Sequence, residues 1–144
     1  EVSKQKAEDA LTAYPDLNVM VGLFEYNPPA ILQALKQSNK LGTIKVVGFD
    51  ENSATLQGIK DGTVVGTVVQ NPYEYGYKSV EVLTKLLDGD KSVIPASKYI
   101  DIAPRSVTKA NVDEFWEDLK RLSSDRSLNR SPGAIASDRM ASRS

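Results

Sequence analysis

The chain has 144 residues with no cysteine and no histidine, and its eighteen Lys and Arg against nineteen Asp and Glu leave a net charge of -1. The missing histidine takes away the commonest general base and metal ligand, so serine–histidine and cysteine–histidine nucleophile pairs are excluded. Near-neutral charge gives no basic field for nucleic acid, and no apolar run approaches the roughly twenty residues of a membrane span.

The length suits one domain with a real core. The opening Glu1-Val2-Ser3-Lys4 has neither Met nor an apolar signal segment and reads as a processed or truncated piece. A first helix is expected from about Ser3 to Tyr14, with Ala7, Ala10 and Leu11 inward and Pro15 as its stop. The apolar run from Asn18 to Phe24 then reads as a strand. Asn27-Pro28-Pro29 opens a helix with Ile31, Leu32 and Leu35 on its inner face, proline being at home in a first helical turn.

A second strand, Ile44 to Phe49, ends at Asp50. A short helix follows, capped by Asn52 or Ser53, carrying Leu56 and Ile59 and stopped by Gly62. The third strand, Val64 to Val69, ends at Gln70, and Asn71-Pro72 starts the next helix. That helix carries two adjacent stripes, Gly76-Val80-Leu83-Leu87 and Tyr75-Ser79-Val82-Leu86, an apolar arc wide enough to need much partner surface. Asp88-Gly89-Asp90 ends it as a solvated turn.

Lys98 to Ile102 alternates like a half-buried strand, with Pro104 interrupting it before Ser106-Val107-Thr108. Asn111 and Glu114 form a capping box for a last helix with Val112, Phe115, Trp116 and Leu119 inward. The domain is expected to span 1–122. From Ser123 to Ser144, seven serines and four arginines make up half of the segment, which is too polar to offset its chain entropy and reads as a disordered tail.

Strands alternating with helices indicate an α/β fold, a parallel sheet flanked by helices, and such sheets bind ligands beyond the carboxyl ends of their strands. Asn27, Asp50 and Gln70 stand at three such ends. Each also has a purely structural reading. Asn27 suits a helix cap, Asp50 competes with Asn52 and Ser53 for one, and Gln70 is a poor cap beside Asn71. Phe24 and Tyr26 read as core or surface packing beside this rim, and Trp116 as core. Glu25 with Asp50 suggests acid–base chemistry or a metal only weakly without a histidine. No glycine-rich phosphate motif occurs.

Three segments carry a family resemblance. They are Val46-Val47-Gly48-Phe49-Asp50-Glu51, Leu56-Gln57-Gly58-Ile59-Lys60-Asp61-Gly62, and Thr67-Val68-Val69-Gln70-Asn71-Pro72-Tyr73-Glu74-Tyr75-Gly76. With the Asn27-Pro28-Pro29-Ala30-Ile31 helix start, they resemble the periplasmic sugar-binding proteins of the ribose-binding type. Ligand domains of the lactose-repressor family share the fold.

The resemblance implies that Asn27, Asp50 and Gln70 hydrogen-bond sugar hydroxyls. It further implies a non-enzymatic solute-binding component of an ATP-driven (ABC) importer, working in the periplasm or outside the cell, with a membrane permease as partner and no cofactor or metal. The alternative is the ligand-sensing domain of a transcription regulator. The chain matches only the later part of that fold, a partial second lobe. The expectations are therefore half a site, a missing N-terminal lobe packed on the helix from Tyr73, and hinge crossings near Gln70 and Pro104.

Overall fold

The computed structural model describes residues 1–128. Its elements in order are α1 (Val2–Ala13), β1 (Val19–Val21), α2 (Asn27–Gln37), β2 (Lys45–Phe49), α3 (Ser53–Asp61), β3 (Gly66–Val69), α4 (Pro72–Leu87), a 3₁₀ turn (Lys91–Val93), β4 (Arg105–Thr108) and α5 (Val112–Leu128). The four strands form one sheet in the order β1-β2-β3-β4. β1, β2 and β3 run parallel, in the register Met20 beside Val46 and Gly48 beside Thr67.

β4 departs from the all-parallel expectation, because it pairs antiparallel with β3, Val107 opposite Thr67. The long excursion through α4 and the 3₁₀ turn brings the chain back from the end of β3 at which it left, so its return strand runs the other way. The alternating segment Lys98 to Ile102 is also not a strand. Lys98 turns to φ +55°, and Ile100 and Ile102 line one hollow together with Val82 and Leu83 of α4. An extended chain resting on a helix uses the same period of two without a ladder. β1 is shorter than its apolar run, since Leu23 to Tyr26 turn outward and are exposed.

Register decides which face of the sheet is core. Met20, Val46, Gly48, Thr67, Val69 and Val107 point to one side and are all buried. Right-handed crossovers between parallel strands put α2 and α3 on that side, and α1 and α5 pack beside them. Leu35, Leu56, Ile59, Val46 and Val107 are fully enclosed. Each contributes about 1.5–3 kcal/mol relative to an exposed position. Ala7, Ile31 and Val112 are buried with them, while Leu11, Leu32, Phe115, Trp116 and Leu119 pack around the edge, as the helical spacing predicts.

The other face carries Val19, Val21, Val47, Phe49 and Val68, none of them buried. α4 has no buried residue and packs against the 3₁₀ turn. Val80, Leu83 and Leu87 stay exposed, Leu87 at 89%. Much of the wide apolar arc is thus left exposed among the described residues, with Val82 and Leu86 half-buried.

α5 runs to Leu128, beyond the expected boundary at Leu122, and residues 129–144 of the expected tail lie outside the described residues. Asn111 engages the chain before α5, a different role from the expected capping box. Its side chain accepts from the Thr108 N–H at 2.8 Å and donates to the Ser106 carbonyl at 3.0 Å, which fastens β4 to α5.

Candidate functional site

The site is set by how β2 and β3 end. Gly48 lets β2 lie close under α2, because a side chain there would meet Pro28 Cγ at 2.9 Å, with Thr55 and Thr67 close behind. One residue after Phe49, Asp50 turns to φ +67°. Two bonds hold that left-handed turn: the Asp50 N–H donates to the Val68 carbonyl at 2.9 Å, and the Thr67 hydroxyl donates to the Asp50 carbonyl at 2.8 Å. Asp50 is thereby fixed to β3, the strand that ends in Gln70.

The next helix start is provided for separately. Asn52 caps α3, accepting from the Ala54 N–H at 2.9 Å, so the Asp50 carboxylate is not spent on capping. Asn71 likewise caps α4 through the Glu74 N–H at 3.1 Å, leaving Gln70 free of that role. The Gln70 amide donates to Asp50 Oδ1 at 3.4 Å. These two residues, expected at one rim, meet there.

They line a hollow of about 370 Å³ together with Glu25, Glu51, Pro72 and Tyr75. Glu25, weighed in the sequence only as an acid–base or metal partner of Asp50, and Glu51, which the rim pattern did not single out, are lining residues too. Tyr75 had counted only as part of an apolar helix stripe. Their signal was available in the first residues after each strand and in the first turn of α4. Burial raises the Glu51 carboxyl above its usual value, and the charges of Asp50 and Glu25 push it the same way, partly opposed by a bond from its own N–H. Glu25 also accepts from Asn52 Nδ2 at 3.1 Å, which draws the β1–α2 loop toward the start of α3.

Asn27 does not take the cap reading. Tyr26 occupies the cap position, Asn27 is the first residue of α2, and no side-chain cap bond forms. Asn27 Oδ1 accepts from the Ser3 hydroxyl at 3.0 Å, linking α1 to α2, and Asn27 is not among the residues lining the hollow. Phe24 and Tyr26 are exposed and stacked on each other, centroids 5.8 Å apart and planes 7° apart. Trp116 packs at the core's edge with the ammonium groups of Lys60 and Lys120 each within 5.6 Å of its ring centre.

Carboxylates accept hydrogen bonds and an amide both donates and accepts, so this rim can read a pattern of hydroxyl groups. Among the described residues no group of three or more His, Cys, Asp or Glu is placed to hold a metal ion. None of the described helices is long and apolar enough to cross a membrane.

The ribose import binding protein RbsB of Salmonella typhimurium is 34% identical over 84 residues, a match spanning 58% of this chain and 28% of that protein. RbsB of Escherichia coli is 32% identical over a stretch of the same length. The chain thus matches less than a third of the length of these curated relatives.

Among solved structures, an ABC transporter solute binding protein from Agrobacterium vitis with bound D-fucose is 37% identical with a TM-score of 0.66, over 77% of this chain and 37% of that one. The glucose-galactose binding protein GanP of Geobacillus stearothermophilus is 26% identical with a TM-score of 0.68, over 76% of this chain and 38% of that one. The fold is therefore part of a two-lobed solute-binding architecture. The periplasmic binding protein domain matches residues 1–91, well over half of the chain, and the chain belongs to that family.

Proposed function

We propose that this chain supplies one wall of a sugar-binding cleft in a solute-binding protein that serves an ABC importer, with no chemistry performed on the ligand. The observation that carries the reading is the meeting of Asp50 and Gln70 over one hollow at the carboxyl ends of neighbouring parallel strands. The identity to RbsB, and to a sugar-carrying relative at 37%, supports a monosaccharide as the ligand. Asp50 accepts from ligand hydroxyls and Gln70 bridges to a neighbouring one. Asn27, fixed through its Oδ1 by Ser3, offers Nδ2 as a donor at the far end of the rim.

A second lobe, contributed by sequence outside this chain, closes on the same ligand. One carboxylate worth about 1.5–3 kcal/mol and two amides worth about 1 kcal/mol each fall short of the roughly 8 kcal/mol of a micromolar site. The closed form is what a membrane permease recognises, by a hinge mechanism. Such a protein works in the periplasm or outside the cell.

A ligand that binds only the folded state raises the melting temperature. A thermal-shift panel of neutral monosaccharides against the two-lobed protein is expected to give a concentration-dependent rise with at least one aldose. Flat melting temperatures across the panel at millimolar sugar would overturn the reading.

A further inference from the structure

We propose that Glu25 is the residue through which the β1 end reads the ligand, and that Asn52 positions it. The inference rests on the sugar-binding reading above and adds a specificity-determining contact from a third strand. Asp50 reaches the hollow from the end of β2 and Gln70 from the end of β3. Of the residues joining β1 to α2, Glu25 is the one that lines it. Asn27, the amide expected from this stretch, lies outside the lining with its Oδ1 taken by the Ser3 hydroxyl.

The direction of Glu25 is set from several sides. The Gly22 N–H donates to the Val47 carbonyl at 2.9 Å, which ties the start of the loop to β2. The Asn27 N–H donates to the Phe24 carbonyl at 2.9 Å, closing a turn with Glu25 and Tyr26 at its centre. The rings of Phe24 and Tyr26 stack on each other, so the two neighbours of Glu25 move as one unit. Asn52 completes the arrangement with both ends of a single amide. Its Oδ1 accepts from the Ala54 N–H at 2.9 Å, and its Nδ2 donates to Glu25 Oε1 at 3.1 Å. Glu25 Oε2 accepts no hydrogen bond from the described residues. If Glu25 only tied the loop to α3, one oxygen would suffice and its place on the hollow would be incidental. An oriented carboxylate with an oxygen still open is a preorganised acceptor for a ligand hydroxyl, and preorganisation lowers the ordering cost of binding.

The test is calorimetric titration of the two-lobed protein with neutral monosaccharides, D-ribose, D-fucose and D-galactose first, the variants then being compared on the sugar bound most tightly. Glu25→Ala should weaken that sugar by roughly tenfold or more, and Glu25→Gln, which keeps an acceptor, by less. A monodeoxy form of the sugar should bind the parent about tenfold more weakly than the sugar itself, and Glu25→Ala should erase that deficit. Asn52→Ser retains a good cap but cannot reach Glu25. It should lose about threefold or more in affinity while its melting temperature stays within about 2 °C of the parent. In the Glu25→Ala background Asn52→Ser should weaken binding no further. Parent-like affinity in Glu25→Ala, or deoxy deficits that all survive in it, would overturn the contact while leaving sugar binding in place. Losses that multiply in the double variant would overturn the positioning role of Asn52. No saturable heat with any sugar of the panel would instead overturn the sugar-binding reading on which the contact stands.

Discussion

Asp50 sits at φ +67°, a conformation that costs most L-residues about 1 kcal/mol and that aspartate tolerates better than most. Its backbone is tied to Val68 and Thr67, so the carboxylate is presented by β3 as much as by its own strand. Nothing in the run Val46-Val47-Gly48-Phe49 announces that turn, because it depends on a partner some twenty positions later. Thr55 shows the opposite situation, a buried hydroxyl with no hydrogen-bond partner. An unsatisfied buried polar group costs about 1–3 kcal/mol, so Thr55→Val is expected to stabilise the fold by about 1 kcal/mol. That gain corresponds to a rise of about 3 °C in melting temperature by calorimetry; a lower melting temperature would refute it. Glu51 gives a pH test. Its folded value lies above its usual 4.5, so the folded state holds that proton more tightly than the unfolded chain. The carboxylate then opposes folding at neutral pH, and this opposition disappears as pH falls below about 4.5. Urea denaturation of Glu51→Gln should show a gain over the parent at pH 7 that vanishes at pH 4; a gain unchanged between the two would contradict the assigned cause.

At the scale of elements, local chemistry was readable where it acts within a few residues. The Asn52 and Asn71 caps, the proline starts and the left-handed Gly62 at φ +79° all stand as the sequence indicates. What stayed hidden was pairing. The alternation from Lys98 to Ile102 and the short Arg105–Thr108 segment compete for one role, and only the second reaches β3. The cap reading of Asn27 fails for a related reason, since its side chain bonds Ser3 on a different helix. Gly48 is where elements constrain each other most. A methyl group at that position meets Pro28, Thr55 and Thr67 together. Gly48→Ala should therefore cost about 1–3 kcal/mol by overpacking and loosen the seat of α2. Chemical denaturation checks this, and a midpoint shifted by less than the equivalent of about 0.5 kcal/mol would mean that the three neighbours give way freely.

The whole molecule presents two apolar surfaces that stay wholly or partly exposed among the described residues: the second face of the sheet and the outer stripe of α4. The first was not foreseen, because an apolar strand looks the same whether one or both of its faces are packed. The stripe on α4 was legible from its spacing, since helical periodicity reports an apolar face whether or not it has a partner. Surfaces of this kind bind hydrophobic dyes and favour association. The chain alone should enhance the fluorescence of an anilinonaphthalene dye. Val80→Gln with Leu83→Gln should reduce that signal with a stability change within about 0.5 kcal/mol, as expected for exposed positions; an undiminished signal would place dye binding elsewhere. The central claim is that Asp50 and Gln70 form one wall of a sugar cleft, and calorimetric titration of the two-lobed protein with its monosaccharide tests it most directly. Asp50→Gly, which accepts the left-handed turn, should weaken binding by about 1.5–3 kcal/mol, a factor of roughly ten to a hundred, and Gln70→Ala by about 1 kcal/mol or more. Affinities equal to that of the parent protein in both variants would contradict the claim.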